Sequence, residues 1–327
     1  MRSSRNMGLR TRRSLLIAAL ATGILGSHAQ ANKARSESGF GVARKAGQLD
    51  FIFAGKPIGS FIFDDPTILR PYFANLRALD DMPITRNHPP IPGRDAVDHD
   101  KMHPGLWLGF GDINGADFWR NQGRIEHVRF VEEPSTNDGQ ICFANECRLK
   151  SAEGKVLGSL VNQIRIAHKL DGWLLIWDAR FSPADGELRF GDQEEMGFGA
   201  RLATPLIEKN GGQILSSQGK KTAAITWGQP ADWCDYSGDS EGRRSGITLM
   251  AAPTNFRRAW WHNRDYGVFV ANPFGREAMK QGSKSSVVVK AGEELRLRFG
   301  AMMHSSPEKA EIEPSRYYRA FLDALGR

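Results

Sequence analysis

Residues 259–275, AWWHNRDYGVFVANPFG, crowd His262, Arg264, Asp265, Trp260, Trp261 and Tyr266 ahead of an apolar run that reads as a strand. Side chains alternate along a strand, so His262, Arg264 and Tyr266 share one face and Trp261, Asn263 and Asp265 the other. Charged side chains are almost never buried alone, so these must either pair among themselves or face a ligand. Histidine is the side chain whose ordinary titration lies near neutral pH. His262 is therefore a candidate acid/base group, and Arg264 and Asn272 are candidate ligand contacts.

Three further constellations carry chemistry-bearing residues. In 98–107, DHDKMHPGLW, His99 and His103 lie four apart, which brings both to one side of a helical turn, although the Asp-rich and Pro-Gly flanks favour a loop. The continuation through Gly109, Gly111 and Gly115 leaves backbone approachable beside Trp107 and Trp119. In 195–202, EMGFGARL, a strand places Met196, Phe198, Ala200 and Leu202 on the core face. Glu195, Gly197, Gly199 and Arg201 fall on the other, with Glu195 and Arg201 about 20 Å apart at ~3.3 Å per residue. That bare strip serves either a ligand or a closely packed neighbour. In 232–239, DWCDYSGD, a turn would present Trp233, Asp235 and Tyr236, and aromatic faces beside carboxylates suit polyhydroxylated ligands. His99, His103 and His262 could together supply three metal nitrogens with Asp98 or Asp235 as an oxygen ligand. No compact ligand motif supports that, and no cofactor is expected.

The elements that must hold these residues are strands. Candidate strands fall at 51–53, 58–63, 72–79, 106–113, 124–131, 140–149, 161–169, 173–181, 196–203, 222–227, 246–251, 285–290 and 294–303, separated by Gly, Pro, Asn and Asp. With no amphipathic helices between them, the pattern argues for an all-β fold, a large antiparallel β-sandwich in a single domain over 32–327. At the C-terminus, Pro314 followed by Tyr317, Phe321, Leu322 and Leu325 at helical spacing predicts one short closing helix. Trp173 and Trp177, alternating with the flanking residues of one strand, read as core.

The first 31 residues read as an export signal. Arg2, Arg5, Arg10, Arg12 and Arg13 precede an apolar run over 15–25, and Ala29-Gln30-Ala31 offers a small-residue cleavage site. Thr11-Arg12-Arg13-Ser14-Leu15-Leu16 resembles a twin-arginine signal, so a periplasmic or secreted product is expected. The whole chain has 44 Lys+Arg against 37 Asp+Glu, and removing the five leader arginines leaves 39 against 37. The basic balance thus belongs mostly to the leader, and the dispersed charges of the remainder exclude a phosphate-tracking surface for nucleic acid. Three cysteines are too few for a disulfide framework. Cys142 and Cys147 could close a small loop, with Cys234 left buried and unpaired.

Taken together, Arg70-Pro71-Tyr72, Thr85-Arg86, Asp98-His99, 103–107, Gly111-Asp112, Phe118-Trp119, Gly123-Arg124-Ile125, 195–201, 233–238 and 262–275 resemble the bacterial family labelled methane oxygenase PmoA-like. The resemblance covers nearly all of the mature chain. It implies exported proteins that keep company with sugar-modifying enzymes, and a fold similar to the β-supersandwich of aldose mutarotases and polysaccharide lyases. The methane chemistry of the label is not expected, because the mature chain lacks any apolar stretch near 18 residues.

The resulting expectation is an exported enzyme acting on a small sugar or oligosaccharide by acid/base chemistry, whether hydrolysis, elimination or epimerisation. His103 and His262 are the candidate acid/base groups, with Asp235 or Glu195 as carboxylate partner. Arg201 and Arg264 would hold the ligand, and Trp107, Trp119, Trp233, Tyr236 and Trp261 would offer it aromatic surface. The alternative is a non-catalytic periplasmic sugar-binding protein using the same residues. The sequence also leads us to expect that these constellations converge on one concave site.

Overall fold

The computed structural model describes residues 39–307 and 310–326. The expected leader lies outside them. Sixteen of its strands form two eight-stranded antiparallel sheets. The first sheet runs, in spatial order, β1 (Phe40–Lys45), β2 (Gln48–Phe53), β3 (Lys56–Ile62), β4 (Tyr72–Ala74), β5 (Leu106–Phe110), β11 (Met196–Arg201), β16 (Val268–Asn272) and β15 (Trp260–Trp261). The second runs β12 (Gln213–Ser216), β13 (Trp233–Ser240), β14 (Arg243–Ala251), β18 (Leu295–Pro307), β9 (Gly172–Pro183), β8 (Val156–Lys169), β7 (Gln140–Lys150) and β6 (Arg124–Asn137). A two-stranded ribbon pairs β10 (Glu187–Phe190) with β17 (Val287–Lys290).

The sandwich follows from alternation. On β9, Trp173, Leu175, Trp177, Ala179 and Phe181 enter the core between the sheets, where they meet Phe61, Phe73, Phe110 and Phe198 of the facing strands. Register is set by tight hairpins. Ala54-Gly55, Asp138-Gly139 and Glu241-Gly242 each place two successive residues at positive φ, the turn geometry that matches strand twist.

The outer faces of the two sheets differ. The second sheet is covered in part by α2 (Pro314–Ala324), the predicted closing helix, which buries Pro314, Tyr317 and Phe321. Its apolar stripe meets Leu174, Ile176, Trp233, Met250 and Met302. This explains why β9 is apolar on both faces. Phe321 seats over Gly300, where a Cβ would fall 2.7 Å from its ring. Strands β4, β5, β11 and β16 and the edge strand β15 of the first sheet carry, on their outer face, the polar constellations other than that of 232–239.

Several expectations are corrected. Residues 233–240 form β13 within the second sheet rather than a turn, and 223–226 form a helical turn, α1 (Ala223–Thr226), rather than a strand. The candidate strand at 72–79 is only three residues long. Cys142, Cys147 and Cys234 are all free thiols. Five residues along one extended strand separate Cys142 from Cys147 by roughly 16 Å, far beyond disulfide reach. Cys234 is buried, as expected, and accepts a hydrogen bond from Asn263 Nδ2 at 3.7 Å.

Candidate active site on the outer face of the first sheet

Cross-strand register places Trp107 (β5) opposite Gly199 (β11), Gly199 opposite Val270 (β16), and His262 beside Val270 through two backbone hydrogen bonds of 3.0 and 3.1 Å. The next row runs from Arg201 through Val268 to Arg264, whose N–H donates to the Val268 carbonyl at 2.7 Å. His262 and Arg264 thus share the outer face, as their spacing predicts, while Trp261 and Asn263 point inward.

At one side of this face sits the 98–103 turn. The His103 N–H donates to the His99 carbonyl at 2.8 Å, a single helical turn that brings the two imidazoles to 5.3 Å. Two buried arginines hold it from below. Arg86 donates to the carbonyls of Ala96, Asp98 and His103, and Arg70 to those of Met102, Phe118 and Trp119. His103 stacks on Trp107 at 5.2 Å and 16°, with Trp119 edge-on. Burial, and then the charges of Arg201, His99, Arg70 and Arg86, push the His103 imidazole well below its ordinary 6.5. It is neutral at neutral pH, and its Nδ1 is buried without a partner.

Across the glycine strip lies a charged chain. The Arg201 guanidinium, 2% exposed, donates to both carboxylate oxygens of Asp98 at 3.0 and 3.3 Å. Tyr266 covers Arg201 with its ring at 4.8 Å and interacts through its hydroxyl with Arg264. Arg264 donates to Glu194 Oε2 at 2.9 Å, and that same oxygen lies 3.3 Å from Nδ1 of the buried His262. The close approach of His262, opposed by burial and aided by the charges of His262, Arg264 and Lys280, lowers the Glu194 carboxyl below its ordinary value. Glu194 is therefore ionised at neutral pH. Nδ1 of His262 is buried and makes no hydrogen bond of good geometry, its 3.3 Å approach to Glu194 being an ion-pair contact, and no hydrogen bond joins its Nε2 to another described residue.

Asp98 gives this chain a pH signature. Burial would raise its carboxyl, but hydrogen bonds from His99 and Arg201 and the charges of Arg201 and Arg86 outweigh it and hold the group at about 2 against an ordinary 3.8. A depressed folded value means that its stabilisation is complete above 3.8 and lost as pH falls through about 2. Urea midpoints should fall across that window, and Asp98→Asn should flatten this part of the slope.

The remaining sequence candidates fall elsewhere. The glycine strip is filled rather than open: a Cβ on Gly199 would lie 2.9 Å from Trp107 Cζ2 and from Val270 Cγ2. Gly199→Ala should cost about 1–3 kcal/mol by overpacking, read as a lower urea midpoint. Trp107 and Trp119 are buried beneath His103, and Trp261 lies in the core. Trp233 lies under α2. None of these four presents an open aromatic face. Tyr236 is fully buried and spends its hydroxyl on Glu208 N–H and the Asp265 carbonyl. Asn272 is buried and fully used, donating to the Gln193 and Glu194 carbonyls and accepting from the Phe274 and Gly275 N–H groups. It therefore positions the turn that bears Glu194. Glu195 pairs instead with Arg120 at 2.9 Å.

Asp235 lies on the opposite outer face of the molecule, bonded to His304, Thr248 and Ser237. The expectation of a single site therefore fails for Asp235. His99, His103 and His262 do not converge either, since three inter-strand steps along one row, roughly 14 Å, separate Trp107, on which His103 stacks, from His262. Among the described residues no three His, Cys, Asp or Glu side chains gather as a metal cage. Glu194 is the partner that sequence reasoning missed. It precedes β11 in a turn where period-two alternation no longer assigns faces, and only its adjacency to Glu195 hinted at it. Trp227 and Lys280, beside Arg264, were missed for the same reason.

The chain belongs to DUF6807, a family of unknown function, which matches residues 48–315. No curated protein matches it. Among solved structures it is similar to the Slr1438 protein of Synechocystis sp. PCC 6803, at 13% identity over 83% of this chain and 96% of that one, with a TM-score of 0.35. It is also similar to the GH36 alpha-galactosidase AgaB of Geobacillus stearothermophilus, at 12% identity over 82% of this chain and 41% of that one, TM-score 0.36. A beta-arabinopyranosidase aligns at 9% identity over 80% and 38%, TM-score 0.34. The chain thus spans about two-fifths of each glycosidase. No helix among the described residues is long and apolar enough to cross a membrane.

Proposed function

We propose that this member of DUF6807 is an exported enzyme that acts on a carbohydrate by general acid/base chemistry, with His262 moving the proton and Glu194 holding its ring. The observation that carries this reading is the ion-pair contact of 3.3 Å between His262 Nδ1 and Glu194 Oε2, with no hydrogen bond from Nε2 to another described residue. A small turn of the ring would bring Nδ1–H, which makes no hydrogen bond here, onto the ionised Glu194, and the Nε2 lone pair would then take a proton from a substrate hydroxyl, carbon acid or water. The imidazolium formed is then stabilised by the same carboxylate until the proton is returned. Hydrolysis, elimination and epimerisation of sugars each require such a transfer.

His103 takes a different role. Held neutral against Trp107, it serves as a hydrogen-bonding group and not as the proton donor. Arg264, partly exposed, would orient hydroxyl or anionic groups of the ligand, whereas Arg201, buried under Tyr266 and held by Asp98, is spent on the 98–103 turn. Both this reading and the non-catalytic sugar-binding alternative lose Trp107, Trp119, Trp233 and Trp261 as stacking platforms, because all four are buried.

A screen of oligosaccharides with product detection tests the reading. Turnover by the wild type is expected, whereas saturable sugar binding with no product from any substrate would transfer the protein to the binding class. N-terminal sequencing of the cell-exported form should begin near Asn32. A full-length cytoplasmic product would remove the export part of the proposal.

A further inference from the structure

The positive charge beside His262 exceeds what the protein itself neutralises. Glu194 is shared by His262 and Arg264 and also feels the charge of Lys280, so one carboxylate serves three basic groups. Lys280 lies against the Trp227 ring with Nζ at 5.4 Å, on the ring that also meets Arg264 at 5.9 Å. It has no carboxylate within ion-pair distance among the described residues.

The loop that presents Lys280 is built to hold it. Asp192 accepts the N–H groups of Glu277, Ala278 and Ser285, at 2.9 to 3.0 Å. Within that clamp Lys280 adopts φ +58, an unfavourable conformation for a non-glycine residue, and donates its N–H to the Glu277 carbonyl at 2.8 Å. A strained and exposed lysine, tethered on both sides and aimed over a half-buried indole, contributes nothing evident to packing. The charge and the geometry agree with a missing anionic partner at this place.

We propose that the substrate of the acid/base site is a sugar acid, whose carboxylate seats against Arg264 and Lys280 beside His262. The assignment rests on the acid/base reading and narrows its substrate class. A planar carboxylate suits the Arg264 guanidinium, which already binds the Glu194 carboxylate, and Lys280 supplies a second point charge. The sugar ring then lies over Trp227, with its hydroxyls toward His262. Neutral sugars lack the group that would pair Lys280.

The test is equilibrium binding of D-glucuronate and D-glucose to the full mature protein by titration calorimetry, with inorganic phosphate as an anion control. Glucuronate should bind roughly tenfold or more tightly than glucose, and the preference should weaken as salt is raised. Lys280→Gln, at an exposed position, should lower glucuronate affinity by roughly tenfold and leave glucose unchanged. Equal affinity for the two sugars, including binding of neither, overturns the proposal. So does a preference that survives Lys280→Gln, or phosphate competing as well as glucuronate, which marks a generic anion site. Because binding is read without turnover, this outcome is separate from the catalytic reading: turnover of neutral sugars without the preference sinks only the sugar-acid assignment.

Discussion

Replacing His262 with alanine should lower turnover by roughly 10²- to 10⁴-fold, the usual contribution of a positioned acid/base group, while the protein stays folded. Folding is expected to survive because the backbone of His262, not its ring, makes the two hydrogen bonds to Val270 that continue the sheet. Glu194→Gln separates orientation from charge. It keeps an oxygen near Nδ1 but removes the anion that stabilises the imidazolium formed during turnover, so kcat should fall by roughly tenfold or more with KM little changed. Full activity in His262→Ala, measured on any substrate that the wild type turns over, would remove His262 from the chemistry. A Glu194→Gln kcat equal to that of the wild type would leave Glu194 as a neighbour only.

Asp235→Ala should have its largest effect on stability. Its buried carboxylate accepts from His304 Nε2 at 2.8 Å, Thr248 Oγ1 at 2.6 Å and Ser237 Oγ at 2.8 Å. His304 in turn stacks on Tyr317 of α2 at 5.2 Å, and the Tyr317 hydroxyl donates to Asp171 at 2.8 Å. Removing the carboxylate strands an imidazole and two hydroxyls beneath the closing helix. Breaking one side of such a buried pair costs about 3–5 kcal/mol, on the order of 10 °C in Tm for a chain of this size. The folded fraction should keep its kcat, since this cluster lies on the far outer face. Unchanged thermal stability with activity lost would return Asp235 to the catalytic group, where the sequence alone had put it.

Alternation carried the sequence a long way. The period-two pattern of Trp173, Leu175 and Trp177 determined that β9 is a core strand, and that of Met196, Phe198 and Ala200 determined which face of β11 looks outward. The helical spacing of Tyr317 and Phe321 behind Pro314 determined the closing helix. Each rests on a local periodicity, which a chain displays without knowing its partners. The same rule set His262 and Arg264 on one face and Trp261 on the other, and so gave the candidate acid/base residue.

What the sequence could not contain was which strand lies beside which, and on which side of the sandwich. Asp235 and His262 look equally functional as residue types, yet β13 sits in the second sheet and β15 in the first, so one faces α2 and the other the candidate site. Glu194 reaches His262 across 68 residues of chain, from a turn whose direction is fixed by Asn272, not by its own neighbours in sequence. The buried tryptophans show the same limit: an indole flanked by glycines suits a ligand or a close-packed layer equally well. Only the approach of β5 to β11, which lays Trp107 over Gly199, decides for packing. Pairing between distant segments depends on the sum of many weak contacts across the whole core, and no short stretch of sequence records that sum.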